Sequence, residues 1–159
     1  MEFQVDSFSI FERKWALLTA GSPDKFNPMT VSWGGLGTLW GKPVATVYVR
    51  HNRHTYQFME EGEYFTLSFY GEEYRNMLTF MGTKSGRDYD KVKETGLTPI
   101  PASKAAVTFQ EAEVTLVCKK LYAQDLDGAA MPKDIYESCY KGDSMHRMYI
   151  AEVIDIIRK

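Results

Sequence analysis

The spacing between predicted strands most constrains how this chain can fold. Alternating or β-branched apolar runs predict strands over residues 14–20, 29–36, 43–49, 64–70, 112–121 and 145–157. The first three lie too close together for helical crossovers, which take about a dozen residues or more. The sequence therefore predicts a mainly β fold with helices, a mostly antiparallel β-barrel of the α+β type.

Shorter segments with helical spacing separate the later strands. Helices are predicted over residues 53–61, 72–81, 88–95 and 132–140. Asp88 is the predicted N-cap of the third helix, while Gly62 and Gly96 are predicted to end the first and third. Residues 99–104 are predicted to be a linker.

Length, charge and cysteine content narrow the class of protein. At 159 residues the chain favours one domain over residues 1–159, and its net charge of −2 gives no general attraction for nucleic acid or an anionic membrane. No apolar run reaches the ~20 residues of a membrane span, and the acidic start is unlike a signal peptide. Two cysteines are too few for a disulfide framework, so we expect a reduced, cytoplasmic protein.

Residues 27–34, with the sequence NPMTVSWG, place small hydroxyls and accessible backbone on a predicted strand. Thr30 and Ser32 are two apart and would share one face, where they could hydrogen-bond the edge of a planar heterocycle. Trp33 would face the opposite way and pack. Because Thr and Ser are also ordinary strand residues, this segment alone is a weak signal.

Residues 50–56, with the sequence RHNRHTY, end a strand in cations and enter a helix. A phosphate dianion favours guanidinium groups, hydroxyls and the free N–H groups of a helix start, which Arg50, Asn52 and Thr55 could provide. A solvated basic turn is the alternative. The loop from Gly82 to Asp88 combines hydroxyls and cations before the next helix and could close over a phosphate. The alternative is a charged loop that only leads into a capped helix.

Other classes of site find little support. Residues 34–37 lack the spacing of a dinucleotide-binding loop and precede a strand, and no Walker A pattern exists. The three histidines, His51, His54 and His146, lack partners for a zinc site, so no metal is expected. Cys118 is predicted to lie in the core, and Cys139 to be a spectator or a reactive thiol.

Taken together, the residues resemble the flavin reductase-like proteins of the FMN-binding split-barrel fold, especially the flavoredoxin-like branch. The resemblance spans nearly the whole chain and is carried by residues 27–34, 49–50, 53–56, 85–88, 90–91, 96–97, 111–121 and 149–153. It implies a Greek-key-type barrel, a homodimer and non-covalent FMN near the subunit interface.

The resemblance also assigns residues to the cofactor. The implied FMN-binding residues are Asn27, Met29, Thr30, Val31, Ser32, Trp33, Gly34, Arg50, Asn52, Arg53, Thr55, Tyr56, Ser85, Gly86, Arg87 and Asp88. Arg87 and His146 are candidates for tuning the flavin. Many relatives have Gly-Asp directly followed by His, whereas two extra residues separate Asp143 from His146 here.

Three hypotheses of function, and a purely structural dimer as the remainder, stay open from the sequence. The first is an FMN-dependent oxidoreductase that takes electrons from NAD(P)H and passes them to a flavin, a ferric complex or a protein, with the redox chemistry carried by the cofactor. The second is a flavoredoxin-like electron carrier without efficient NAD(P)H turnover. The third is a non-flavin binding module on a similar barrel, for which haem lacks an obvious axial ligand.

Overall fold

A computed structural model describes the whole chain, from Met1 to Lys159. Seven strands form one sheet: β1 (Ala16–Ser22), β2 (Lys25–Val31), β3 (Gly34–Leu39), β4 (Lys42–Arg50), β5 (Tyr64–Phe69), β8 (Val114–Asp125) and β9 (His146–Arg158). Their order in the sheet is β2-β1-β5-β8-β9-β4-β3, and every paired neighbour is antiparallel. Two short strands, β6 (Pro99–Pro101) and β7 (Val107–Phe109), pair separately.

One short helix precedes β1, and the other helices lie in the connections between strands. The helices are α1 (Ser9–Glu12), α2 (His54–Glu61), α3 (Arg75–Thr83), α4 (Lys91–Thr95) and α5 (Lys133–Cys139), with 3-10 turns at Glu72–Tyr74, Ser103–Ala105 and Gly128–Ala130. The predicted mainly β, antiparallel fold with inserted helices is therefore confirmed. No helix has the combination of length and apolar character that a membrane crossing requires.

Two apolar clusters hold these elements together. The larger fills the inside of the curved sheet and includes the fully buried Leu18, Val47 and Phe65. The smaller lies on the other face of β1, where Leu17 packs with Leu78 of α3. Because β1 alternates between the two clusters, it is buried on both faces, and α3 is fixed beside β2.

The predicted strand 29–36 is wrong, because the structure divides it into β2 and β3. β2 pairs with β1 and β3 pairs with β4, so the chain must leave one edge of the sheet and join the other. It does so at Ser32 and Trp33, both exposed. Thr30 and Ser32 consequently do not share the face of one continuous strand.

The region from 82 to 104 also differs from expectation. The α4 N-cap is Asp90, whose carboxylate accepts a hydrogen bond from the Lys93 backbone N–H at 3.1 Å, and not Asp88. Gly96 ends that helix with φ +72°, as predicted, whereas Gly62 ends α2 in an extended conformation. The predicted linker 99–104 contains β6, whose pairing with β7 covers one face of β5.

Candidate functional site

The outer edge of β2 borders two cavities, and together we call them the β2 groove. The His146 cavity, about 180 Å³, is bordered by residues 29–33 together with His146. The Lys91 cavity, about 640 Å³, is bordered by residues 24–28 together with Lys91. Successive halves of one strand thus form the floor of both cavities.

The backbone of β2 is available to a ligand because β2 is an edge strand. It pairs only with β1. The Pro28 carbonyl points away from β1, since it accepts a hydrogen bond from Lys91 Nζ at 2.8 Å. Residues two apart in a strand direct their backbone groups to the same side, so the Thr30 N–H and C=O also face the groove. A planar ring with donors and acceptors along its edge could pair there.

Aromatic side chains surround the His146 cavity. The Trp33 ring, about half exposed, lies 5.2 Å from the His146 ring, and Tyr48 lies 6.5 Å from it. His146 is buried, and its Nδ1 is 2.8 Å from the Tyr140 hydroxyl. Burial, followed by the nearby Arg50 charge, lowers the pKa of His146 to about 4. The imidazole is therefore neutral at pH 7.

Arg50 lies at the same cavity, but its guanidinium is engaged by the segment that follows α5. It donates to the Ser144 carbonyl at 2.6 Å and to the Cys139 carbonyl at 3.0 Å, and it lies 5.2 Å from the Tyr140 ring. The Asp143 carboxylate is 3.8 Å away. This geometry makes Arg50 an anchor for residues 139–144, which differs from the phosphate contact expected from the sequence.

Lys91 is the most unusual charged group of the groove. Its side chain is only 3% exposed, and its Nζ donates to the Pro28 carbonyl and, at 2.9 Å, to the Met81 carbonyl. It forms no ion pair with a carboxylate. Burial, followed by the Arg53 charge, lowers the pKa of Lys91 to about 8. A buried ammonium without a counter-ion is costly, so an anion bound nearby would be stabilised.

Further cations lie around Lys91. Arg53 donates to the Gly82 carbonyl at 3.0 Å, so that Arg53 and Lys91 both cap carbonyls near the α3 C-terminus. Arg87 donates to the Asn52 carbonyl at 3.1 Å. His54 Nδ1 is buried without a hydrogen-bond partner, and burial, followed by Arg87, Lys91 and Lys25, lowers the pKa of His54.

Acidic side chains also border the Lys91 cavity, but they are exposed. They are Asp24, Asp88 and Asp90, the last of which caps α4. The buried part of the cavity, at Lys91, is therefore cationic, while the exposed part carries both signs. Such an arrangement favours an anion that reaches inward to Lys91.

Internal contacts use several side chains that the sequence assigned to a cofactor. Asn27 Nδ2 donates to Thr55 Oγ1 at 2.7 Å, and both residues are buried. Thr30 Oγ1 donates to the Leu78 carbonyl at 2.5 Å. Gly86 lies so close to Asn27 that an added Cβ would be 2.0 Å from Asn27 Oδ1. These contacts join β2, α2, α3 and the loop 84–90 into one support for the groove.

The structure brings most, but not all, of the predicted residues to the groove. Those lining it are Asn27, Met29, Thr30, Val31, Ser32, Trp33, Arg50, Arg53, Gly86, Arg87, Asp88 and His146. Tyr56 instead packs on His51, with ring centroids 5.0 Å apart. Gly34 packs beneath Phe11, and the Ser85 hydroxyl accepts from the Arg87 N–H within its own loop.

Four groups of the site were not among the sequence candidates: Lys91, His54, Tyr48 and Tyr140. Lys91 belongs to the Asp90-Lys91 pair that carried part of the resemblance. The sequence therefore contained a signal for Lys91, but we did not predict that it would contact the cofactor. Tyr48 and Tyr140 had no signal, because their proximity to His146 depends on the β4–β9 register and on the path after α5.

No group of three or more His, Cys, Asp or Glu side chains is placed to hold a metal ion. Cys118 is fully buried, and burial raises the pKa of its thiol, which makes it unreactive. Cys139 is free, and its thiol lies 3.6 Å from the Ser138 hydroxyl.

Comparison with known proteins supports the fold and identifies the family. The sequence profile of the family described as "Flavin reductase like domain" matches residues 8–159. The chain therefore belongs to the flavin reductase-like family, and the resemblance seen in the sequence is confirmed. No curated protein sequence matches the chain.

Solved structures share the split-barrel fold at low sequence identity. Flavoredoxin from Methanosarcina acetivorans is 19% identical with a TM-score of 0.72, covering 100% of this chain and 75% of that one. Flavoredoxin of Desulfovibrio vulgaris (Miyazaki F) is 20% identical with a TM-score of 0.72, covering 100% and 77%. An FMN-binding protein from Thermus thermophilus with bound p-hydroxybenzaldehyde is 15% identical with a TM-score of 0.73, covering 100% and 81%.

Proposed function

We propose that this protein is an FMN-dependent oxidoreductase that passes electrons from NAD(P)H to a second acceptor, such as a flavin, a ferric complex or a protein. The observation that carries the proposal is the buried Lys91 ammonium, which has no carboxylate partner and lies beside the unpaired edge of β2. One end of the groove thus suits an anion and the other a planar ring.

The Lys91 cavity would hold the phosphate of FMN. Lys91, Arg53 and Arg87 would supply positive charge, and the unpartnered His54 Nδ1 would gain a hydrogen-bond partner. No side chain caps α2, so its first backbone N–H groups would be free to donate to the phosphate. Arg50, Thr55 and Ser85 would act behind this layer, through the contacts that fix the groove, whereas the exposed Asn52 and Asp88 would act at its outer edge.

The His146 cavity and the β2 edge would hold the isoalloxazine ring. The Thr30 backbone and the exposed Ser32 hydroxyl would hydrogen-bond its polar edge, while Trp33 and Tyr48 would pack against it and limit water. When bound, FMN supplies the hydride and electron chemistry; the chain supplies orientation and hydrogen bonds. Arg87 or His146 would tune the ring through hydrogen bonding or charge.

A flavoredoxin-like electron carrier is the second candidate, because two of the solved structures similar to this chain are flavoredoxins. Both functions require FMN, and they differ in the reaction with nicotinamide. Stopped-flow mixing of the FMN-loaded protein with NADH and NADPH separates them. Rapid loss of the flavin colour supports the oxidoreductase, and slow loss supports the carrier.

A colourless protein that does not retain added FMN would contradict both and leave a non-flavin binding module or a structural dimer. The visible spectrum before and after FMN addition makes this distinction. Riboflavin is the matched control, since it lacks the phosphate. We expect riboflavin to bind more weakly than FMN if the Lys91 cavity holds the phosphate.

We further propose that residues 1–159 act as one flavin reductase-like domain that forms a homodimer in the cytoplasm. A cavity of about 570 Å³ beside the His146 cavity is lined by Phe8, Trp33, Tyr48 and Tyr140, and the Phe8 side chain is 87% exposed. Exposed aromatic side chains in such a cluster favour a subunit interface. Sedimentation showing only monomer at micromolar concentration would contradict the dimer.

A further inference from the structure

Tyr140 and His146 form a buried pair on the far side of the His146 cavity. Tyr140 follows directly after α5, and His146 is the first residue of β9. Both are less than a tenth exposed, and the Tyr140 hydroxyl is 2.8 Å from His146 Nδ1. Arg50 contacts both residues, because its guanidinium lies over the Tyr140 ring and its backbone pairs with His146 across the β4–β9 ladder.

The direction of this hydrogen bond follows from the groups around it. The Tyr140 hydroxyl has one proton and no other acceptor in the chain. If Nδ1–H donated instead, that proton would remain buried without a partner, which is unfavourable. The adjacent Arg50 guanidinium also makes the phenol a stronger donor, while burial keeps it protonated by raising the pKa of Tyr140. The hydroxyl therefore donates to Nδ1, and the imidazole proton resides on Nε2.

The Nε2 atom has no hydrogen-bond partner in the chain, and the His146 ring lines the cavity beside Trp33 and Tyr48. A neutral N–H donor between aromatic side chains matches a planar ring that carries a carbonyl oxygen. The titratable and charged groups near His146 are Arg50, Asp143 and His51, the last of which directly follows β4. None of them forms a hydrogen bond to Nε2.

We propose that Tyr140 is a positioning residue that holds His146 as the Nε2–H tautomer, and that this N–H binds the carbonyl oxygen of a planar ring in the His146 cavity. The ring could be the flavin itself or a second substrate stacked beside it. The tautomer is a property of the chain alone, whereas the ligand half of the proposal rests on the proposed function.

Nitrogen-15 NMR of the ligand-free full chain tests the tautomer. The chain has three histidines, and a His146→Gln variant assigns the His146 signals by their loss. We expect a pyrrole-like Nε2 and a pyridine-like Nδ1 at pH 7 in the wild type. Tyr140→Phe should convert this to a mixture of tautomers, while Tyr136→Phe, which removes an exposed hydroxyl on α5, should leave it unchanged.

A pyrrole-like Nδ1 in the wild type would overturn the proposal, as would an unchanged tautomer in Tyr140→Phe. If Tyr140→Phe does not fold, the wild-type spectrum still decides the tautomer, because it needs no substitution. This part of the test does not depend on whether FMN binds. A failure of the proposed function is therefore distinguishable from a failure of the tautomer assignment.

Two probes distinguish the sources of the carbonyl. Lumiflavin, a flavin ring without the phosphate chain, is added to the ligand-free protein, and 1,4-naphthoquinone is added to the FMN-loaded protein. A downfield shift of the His146 Hε2 proton with lumiflavin assigns the donor to the flavin. A shift only on adding naphthoquinone assigns it to the second substrate, and no shift with either probe overturns the ligand half of the proposal.

Discussion

Replacing Lys91 by Met tests the phosphate end of the groove. Met has a similar length and no charge, so the substitution removes the ammonium while largely keeping the volume. A hydrogen bond between charged groups contributes about 1.5–3 kcal/mol, so we expect FMN to bind about 10- to 150-fold more weakly at pH 7. Lys93→Met is the matched control, because Lys93 lies on the same helix but is exposed and outside the groove.

The affinity for FMN should also depend on pH through the Lys91 ammonium, which gives a second test of the same contact. In the free protein burial lowers the pKa of Lys91 to about 8. A bound phosphate would favour the charged form and raise that pKa, so above pH 8 the complex holds more protons than the separate partners. The affinity of the wild type for FMN should therefore fall, by up to about tenfold per pH unit, as the pH rises above 8.

Titration calorimetry at pH 7 and about pH 9.5 measures both effects. The wild type and Lys93→Met should lose affinity between these values, and Lys91→Met should be weak at both. Unfolding in urea separates binding from folding. Lys91→Met removes the only side-chain donor of the Met81 carbonyl and leaves the Pro28 carbonyl with only the 3.4 Å contact from Asn27 Nδ2, but it also removes an unpaired buried charge, so its stability should change by only about 1 kcal/mol. Wild-type affinity of Lys91→Met at both pH values would refute the reasoning.

Three further predictions concern the support of the groove. Folding lowers the pKa of His146 from 6.5 to about 4, so between these pH values the unfolded state binds more protons than the folded state. The free energy of unfolding should therefore fall by about 2–3 kcal/mol from pH 6.5 to pH 4. His146→Gln should show a smaller fall over the same range. Arg50→Ala should lower the free energy of unfolding in urea by about 2–3 kcal/mol, because two loop carbonyls lose their donor; unchanged stability would contradict this. Gly86→Ala should cost about 1–3 kcal/mol in stability and weaken FMN binding, because its Cβ would clash with the buried Asn27; an unchanged melting temperature would show that the loop yields freely.

The strands and their antiparallel arrangement could be predicted because apolar periodicity reports burial directly. Residues 64–70 alternate in sequence, and Phe65, Leu67 and Phe69 indeed face the larger core. The break between β2 and β3 could not be predicted in the same way. Thr30 to Gly34 suits a strand locally, and only the pairing of the two flanking segments with different partners requires the chain to turn there.

For the candidate site as well, features set by neighbouring residues could be predicted, whereas contacts between distant segments could not. Short motifs identified the polar and cationic segments, since these residues are adjacent in sequence. They did not reveal that Arg50 is engaged by carbonyls some 90 residues away, because that contact depends on where the chain passes after α5. Lys91 was missed as a contact for the complementary reason: its burial beneath Pro28 and Met81 is set by the packing of α3 and α4.

Retention of FMN by the purified protein tests the central claim most directly. The protein is mixed with excess FMN and passed through a gel-filtration column, and the flavin absorbance that elutes with the protein is measured for the wild type, Lys91→Met and Lys93→Met. We predict about one FMN per chain for the wild type and Lys93→Met, and much less for Lys91→Met. Elution of all three variants without flavin would contradict the account.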